Sequence, residues 1–236
     1  MYKSLKLKII VSVTLLVITL TGFSQITKEF PQEDFNALKT EGVSSFILIQ
    51  SDKNKVEVIV ENKEVIDYID IAVIDGILTI NTTSKNKNIS KMFSKLTFKV
   101  YFKNLEYIVF SGAGSMKSEN PIKSEKLEAE LEGTGNINLI ANTQKFTGQM
   151  KGTGSFSIEG ESQSAELFVA GVGSLKATNL ISKNTSIVLN GVGHAQVYAS
   201  NNLEATLNGL GSIKYTGNPQ NKDFEVNGLG SIKELE

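Results

Sequence analysis

Gly171-Val172-Gly173-Ser174 is one of seven copies of a short sequence motif, here called the phrase, that decides the fold of this chain. In each copy two glycines flank one variable residue, and Ser, Asn or His follows. Successive copies begin 21, 19, 19, 20, 18 and 19 residues apart. A regular period of this length is typical of repeat proteins, in which each unit buries its apolar face against its neighbours. We interpret the paired glycines as structural turn residues, and they are Gly112, Gly114, Gly133, Gly135, Gly152, Gly154, Gly171, Gly173, Gly191, Gly193, Gly209, Gly211, Gly228 and Gly230.

Apolar residues hold fixed places around the phrase when its variable residue is numbered position zero. The residues three places before and three places after are apolar in all seven copies. The residue five places before is apolar in nearly all of them. Odd offsets of this kind indicate β-strands with one buried face. The two glycines stand one place before and one place after position zero, so their odd offsets also predict that they face inward. We expect a corner of the coil there, where a Cβ atom would clash or require an unfavourable φ.

This pattern predicts an all-β fold, and within that class a right-handed parallel β-helix, or single-stranded β-solenoid. Its coils contain about 19 residues, and polar segments such as Asn142-Thr143-Gln144 supply the second turn of each coil. Equivalent residues then stack about 4.8 Å apart, and right-handed winding is the default for parallel crossovers. A ring or meander of antiparallel hairpins, with each Gly-x-Gly at a hairpin tip, is the alternative. The constant residue type at each position favours the parallel stack.

The segment before the first phrase lacks the repeat but has strand patterns, clearest at 46–49, 56–60, 69–73 and 96–102. Asp75-Gly76 predicts a hairpin turn. We expect a single domain over residues 25–236, with an irregular N-terminal β part at 25–110 and regular repeats at 105–236. Lys85, Lys87, Lys91 and Lys95, with Met92-Phe93 between them, indicate either a solvated loop or a surface-binding loop.

Residues 1–24 have the pattern of a signal peptide. Lysines precede an apolar run at 9–20, and small residues precede Gln25. An uncleaved membrane anchor is the alternative, although the run is shorter than the roughly 20 residues of a membrane span. We therefore expect an exported protein with no membrane span after cleavage, located in the periplasm, on the outer cell surface or secreted. The net charge of −1 argues against nucleic-acid binding.

The residue types argue against catalysis, so we predict no catalytic residue, no metal and no cofactor. Calcium-binding repeats need an Asp in each short period, which the phrase lacks. An outward column (the equivalent residues of successive coils) holds Glu128, Glu166, Glu204 and Asp223, but a solvated charged face explains it. The chain has no Cys and one His, His194, which excludes a Cys/His zinc site.

Two surface columns are candidate sites. Asn190, Asn208 and Asn227 precede the last three phrases and form the first Asn ladder. Its amides either bond along the stack or contact sugar hydroxyls. Position zero becomes apolar toward the C-terminus, and the residues concerned, which we call the corner stripe, are Val172, Val192, Leu210 and Leu229. If the stripe faces outward it predicts an interface, including that of a homodimer; if it faces inward it fills the edge of the core.

These features together resemble the DUF2807 family, also called the "putative auto-transporter adhesin head GIN domain". The resemblance rests on the leader, on the pattern Tyr-Ile-x-x-x-Val-x-Asp-Gly-x-Leu-x-Ile at 68–80, and on Leu105-Glu106-Tyr107 followed by Ser111-Gly112-Ala113-Gly114-Ser115. It covers residues 35–232. The resemblance implies a right-handed parallel β-helix like that of pectin lyases but without their catalytic residues, and a source in Bacteroidetes.

We therefore expect a non-catalytic exported binding or adhesion module of the bacterial cell envelope. Its partner would be an envelope glycan or protein that contacts the outward columns. One alternative is an envelope structural or stress protein that works by self-association. Another is a degenerate carbohydrate-active enzyme, which would require two or more acids to converge in one groove.

Overall fold

The computed structural model describes residues 25–82 and 93–235. The predicted leader lies outside these ranges, as do Lys85, Lys87, Lys91 and Met92 of the predicted loop. The fold prediction is confirmed: 74% of the described residues are in strands and 4% are in helices, and the parallel coils lie about 19 residues apart over about seven turns. The strands are β1 (Ile26–Pro31), β2 (Ala37–Gln50), β3 (Lys55–Val60), β4 (Ile69–Ile74), β5 (Ile77–Thr82), β6 (Thr97–Phe102), β7 (Tyr107–Phe110), β8 (Ala113–Ser118), β9 (Ile122–Leu131), β10 (Thr134–Met150), β11 (Thr153–Val169), β12 (Val172–Leu189), β13 (Val192–Tyr198), β14 (Asn202–Leu207), β15 (Leu210–Thr216), β16 (Asn221–Val226) and β17 (Leu229–Glu234). Short 3₁₀ helices cover Lys63–Tyr68 and Phe93–Lys95.

Successive coils pair in parallel with the glycine phrases in register. Gly135 lies beside Gly154, which lies beside Gly173 in the next coil. β10 extends over both β8 and β9, and β11 and β12 continue the stack. The alternative of antiparallel hairpins with glycine tips is therefore wrong, because each phrase pairs with the same phrase of its neighbours.

The core is a continuous column of inward side chains between two strand faces. In β12 buried and more exposed residues alternate over most of the strand, as the odd offsets predicted. Tyr215 of β15 contacts Phe224 of β16, with ring centroids 5.3 Å apart. Since these residues lie on strands before and after a corner, the contact shows that the two faces of a coil oppose each other across the core.

β2 forms the first coil of the stack, although it precedes the first phrase by some sixty residues. Val43 pairs with Ala113 of the next coil, so Gly42-Val43-Ser44 occupies the place of a glycine phrase. On its other side β2 pairs in parallel with β5 and β6. The solenoid therefore begins within the predicted irregular part, and residues 51–82 and 93–106 lie outside the stack of coils, between its first and second coils.

Antiparallel strands cover the N-terminal end of the stack. β3 pairs with β6, β1 pairs with β3, and β4 pairs with β5 through the predicted turn, in which Asp75 and Gly76 have φ values of 52° and 75°. Phe93 was predicted to lie in a surface loop, but it is buried in the core cluster. Lys95 lies beside it on the surface, with Nζ 2.7 Å from Glu61 Oε2.

The C-terminal end has a different construction. Among the described strands, β16 pairs only with β14, and β17 pairs only with β15. Every residue of β16 is exposed. The solenoid therefore ends in antiparallel strands at its N-terminal end and in parallel strands with open edges at its C-terminal end.

Candidate functional site

The corner stripe faces solvent, which answers the question that the sequence left open. Its side chains alternate with the glycines and point away from the core. Neighbouring members pair in register along the stack, so they lie about 4.8 Å apart. The exposed fractions are 53% for Val172, 48% for Val192, 47% for Leu210 and 74% for Leu229. The stripe is therefore a continuous apolar ridge on the C-terminal half of the solenoid.

The paired glycines of the phrases are required by the close approach of successive coils. A Cβ atom on Gly152 would lie 2.0 Å from the carbonyl oxygen of Gly133, and one on Gly154 would lie 1.9 Å from that of Gly135. The sequence predicted a clash in the interior of the coil, but the main obstacle is the backbone of the preceding coil. Gly154 also has a φ of +137°, a conformation that other residues rarely adopt.

Two further apolar side chains extend the stripe on the strand face that precedes the corner. Phe168 lies four places before Val172 and is 40% exposed, and Val188 is the half-buried neighbour that pairs with it. The sequence analysis missed both residues. Their even offset from position zero was the available signal, because even offsets face outward in this repeat.

The first Asn ladder is a chain of hydrogen bonds along the stack. The Asn208 Nδ2 donates to Asn190 Oδ1 at 2.8 Å, and the Asn227 Nδ2 donates to Asn208 Oδ1 at 3.0 Å. All three side chains are exposed. The ladder stabilises the coils, and the exposure of its amides still permits contact with a ligand.

A second Asn ladder, which the sequence analysis missed, lies in β12, β14 and β16, the strands that lead to the first ladder. The Asn202 Nδ2 donates to Asn184 Oδ1 at 2.6 Å, and the Asn221 Nδ2 donates to Asn202 Oδ1 at 2.7 Å. Each member precedes a member of the first ladder by six residues, a constant spacing that could have revealed it. The two ladders therefore frame the outward face of the last three coils.

Several acids lie on the same outward face in the earlier coils. Glu128 and Glu130 of β9 and Glu132, which directly follows it, occupy alternate positions, so their side chains leave the same side of the backbone. Glu128 Oε1 accepts a hydrogen bond from Gln149 at 2.8 Å, and Glu132 Oε2 accepts one from Ser111 at 2.7 Å. The half-buried carboxylate of Glu128 and the exposed carboxylate of Glu132 thus each have a partner on a neighbouring coil.

Glu130 is only 3% exposed and forms an ion pair with Lys151 of the next coil. The hydrogen bond with Glu130 raises the pKa of the Lys151 ammonium group. Burial raises the pKa of the Tyr107 phenol, and the negative charge of Glu130 adds to this shift. A buried carboxylate held by a cation and a phenol is arranged for stability, since the removal of Lys151 would leave the buried charge without its counter-ion.

The remaining acids and the histidine do not converge. Glu166 Oε1 lies 2.6 Å from Lys145 Nζ, and His194 Nδ1 lies 2.9 Å from Ser212 Oγ, both at the surface. Over residues 25–82 and 93–235, no three His, Asp or Glu side chains are grouped closely enough to hold a metal ion. In the same ranges no helix is long and apolar enough to cross a membrane.

Comparison with known proteins identifies the molecules that share this architecture. The family described as "Putative auto-transporter adhesin, head GIN domain" (DUF2807) matches residues 34–219. A crystal structure of a "putative adhesin" from Bacteroides fragilis is 28% identical, with a TM-score of 0.85, over 91% of this chain and 98% of that one. None of the curated proteins matches this chain.

Two structures from Parabacteroides show the same fold at lower identity. A "putative adhesin" from Parabacteroides merdae is 24% identical, with a TM-score of 0.63, over 90% of this chain and 96% of that one. A "putative lipid binding protein" from Parabacteroides distasonis is 23% identical, with a TM-score of 0.67, over 90% of this chain and 97% of that one. The fold is thus shared by relatives whose names differ.

Proposed function

Because the chain belongs to the DUF2807 family, we propose that it is a non-catalytic adhesion and binding module, exported to the bacterial cell envelope. The names of the family and of the Bacteroides fragilis relative support an adhesion-like role. The observation that carries the proposal is the corner stripe, a row of exposed Val and Leu side chains in register. Exposed apolar patches on soluble proteins commonly mark interaction sites.

The surface around the stripe fits an envelope protein or glycan as the partner. Phe168 and Val188 widen the apolar ridge on one side, and an aromatic side chain of this kind packs against protein or against the apolar face of a sugar. The first Asn ladder lies directly beside the ridge and contributes exposed amides. An apolar centre with a polar border is the usual composition of a recognition surface.

The arrangement of the acids supports a role without catalysis. General acid and base chemistry on a sugar requires two carboxyl groups placed on opposite sides of the bond to be cleaved. Here Glu128, Glu130 and Glu132 leave one side of a single strand, and each is engaged by a neighbouring side chain. The degenerate enzyme is therefore the weaker alternative.

The proposal is tested by measuring binding of the chain that begins at Gln25 to a glycan array and to purified envelope proteins. Leu210→Asp places a charge in the centre of the stripe, and we expect it to reduce binding by at least tenfold. Thr134→Asp is the matched control, because Thr134 is the exposed position-zero residue of an earlier coil. If Leu210→Asp binds as well as Thr134→Asp, the stripe is not the contact surface.

A second set of variants separates the two columns. Simultaneous replacement of Asn190, Asn208 and Asn227 by Ser removes the first Asn ladder and leaves the stripe in place. Loss of glycan binding in this variant alone would assign recognition to the amides. An array without a bound glycan, together with no bound envelope protein, would contradict the adhesion proposal.

A further inference from the structure

The open end of the solenoid carries features of a specific interface. β16 and β17 are hydrogen-bonded on one side, and no described strand pairs with their other edges. Such edges present unpaired N–H and C=O groups to another chain. Phe224 and Val226 are 38% and 48% exposed, whereas Ala205 and Leu207 in the same columns one coil earlier are 2% and 0% exposed. The end therefore exposes both backbone groups and part of the core.

Two charged residues take inward positions at this end. Lys222 pairs with Leu203 of the preceding coil, and Glu234 pairs with Tyr215. Leu203 and Tyr215 are both buried, so Lys222 and Glu234 occupy positions that face the core in the preceding coil. The Lys222 Nζ lies over the Tyr215 ring, 5.4 Å from its centroid. Inward charges on an edge strand prevent pairing with unrelated strands, because the charge would be enclosed without a partner. Only a strand with the opposite charge at the matching place can pair here.

We propose that this end pairs with the same end of a second copy, around a two-fold axis parallel to the strands. β16 runs toward the corner and β17 runs away from it, so this axis places the partner's β17 antiparallel to β16. When Phe224 faces the partner's Ile232, Lys222 faces the partner's Glu234, and Asp223 faces the partner's Lys233. Inward residues then face inward residues and outward residues face outward ones, as continuous sheets require.

The charges select this arrangement over the other antiparallel ones. A shift of two residues in one direction sets Phe224 opposite the partner's Glu234, and a shift in the other direction sets Lys222 opposite the partner's Ile232. Pairing of β16 with the partner's β16 sets Asp223 opposite the same residue or opposite the partner's Glu225. Like charges directly opposite each other are destabilising. The two-fold axis repeats the favourable contacts at the second edge, which gives four ion pairs in total.

The two-fold axis determines that the assembly is a closed dimer. The two ends of the solenoid are built differently, because antiparallel strands form the first end, whereas β16 and β17 pair in parallel with their own coils. An isologous contact between identical ends closes on itself, whereas a heterologous one continues into a fibre. The proposed contact is made by β16 and β17, whereas Val172, Val192 and Leu210 of the corner stripe lie on earlier coils. The proposed dimer therefore does not depend on the proposed binding function.

The test is the mass in solution of the chain that begins at Gln25, measured by sedimentation over a wide range of concentration. We expect a dimer, and we expect Lys222→Glu to weaken it by at least about 100-fold, because two symmetric pairs become repulsive. The exchange Lys222→Glu with Glu234→Lys restores the opposite charges and should restore the dimer. Lys214→Glu is the matched control, because this outward lysine lies one coil away from the end.

A second exchange uses the outward pair formed by Asp223 and the partner's Lys233, whose side chains do not contact the core. Asp223→Lys alone should weaken the dimer, and Asp223→Lys with Lys233→Asp should restore it, with an unchanged far-ultraviolet circular dichroism spectrum in both variants. A protein that is monomeric at every concentration would overturn the proposal. So would a dimer that Lys222→Glu and Asp223→Lys leave intact. A dimer that is lost in Leu210→Asp, but not in these variants, would instead assign self-association to the corner stripe.

Discussion

Gly154→Ala is the substitution that tests most directly why the phrase contains glycine. The new Cβ would lie 1.9 Å from the Gly135 carbonyl oxygen, whereas real Cβ atoms essentially never approach closer than 3.0 Å. The two coils would have to separate locally by about 1 Å. The neighbouring backbone hydrogen bonds, such as Thr153 N to Gly133 O at 3.0 Å, would then lengthen beyond their useful range.

The expected loss of stability follows from two contributions. Two or three weakened backbone hydrogen bonds contribute about 1–4 kcal/mol. A non-glycine residue at a φ of +137° adds about 1–3 kcal/mol of conformational strain. We expect Gly154→Ala to lower the free energy of unfolding by about 2–7 kcal/mol, which is a large share of the 5–15 kcal/mol typical of a native protein. Equilibrium unfolding in urea, followed by far-ultraviolet circular dichroism, measures this difference.

Two other glycines provide the controls. A Cβ on Gly148 would meet only side-chain atoms, of Leu167 and Phe146, at 3.0 Å, and alanine occupies the same column at Ala129. We expect Gly148→Ala to change stability by less than about 1 kcal/mol, since surrounding side chains can adjust. Gly152→Ala creates the carbonyl clash without the unfavourable φ, and it should fall between the two. Equal stability of Gly154→Ala and Gly148→Ala would refute the explanation from close approach.

Three further predictions concern single side chains. Ser44→Ala should leave stability unchanged or raise it by up to about 1 kcal/mol in urea unfolding, because the buried Ser44 hydroxyl has no hydrogen-bond partner in the described structure; a clear loss would show that the hydroxyl has one. Asn208→Ala removes both bonds of the first Asn ladder, and thermal unfolding should show a loss of about 1 kcal/mol, with no loss contradicting a stabilising role. Lys151→Ala should destabilise the protein by about 1–3 kcal/mol at pH 7, because it leaves the carboxylate of Glu130 buried without its cation. Because the pKa of the Lys151 ammonium group is raised, the wild-type ion pair stabilises the fold fully below the ordinary pKa of lysine and loses this effect as the pH rises through the raised value. The loss caused by Lys151→Ala should therefore shrink at high pH, and a loss that stays constant there would contradict the explanation.

The repeat and its alternating pattern predicted the class of fold, because both are local properties of the sequence. The register of Gly135 with Gly154 follows directly from the period. The first coil could not be found in this way. Its phrase is Gly42-Val43-Ser44, in which serine replaces the second glycine, and about seventy residues separate it from the next copy. Only the three-dimensional pairing shows that it belongs to the stack.

The candidate site was predicted in part. Position zero identified Val172, Val192, Leu210 and Leu229, but the direction of their side chains depends on the geometry of the corner, which parity alone does not define. Phe93 shows the opposite limit. It lies among lysines and polar residues in the sequence, yet it packs into the core beneath the first coil, through contacts that no local pattern records.

The position of β2 between the cap and the regular coils has a consequence for the order of folding. Both of its neighbouring layers, β5 with β6 and β7 with β8, are formed by residues that follow it in the chain. During synthesis or export from the N-terminus, β2 therefore emerges long before the strands that will cover its two edges. Its Phe46-Ile47-Leu48-Ile49 segment combines high β-propensity with no charge, which favours aggregation while the edges are open. We therefore expect this chain to be most prone to aggregation until the strands up to β8, which ends at Ser118, are available to cover β2.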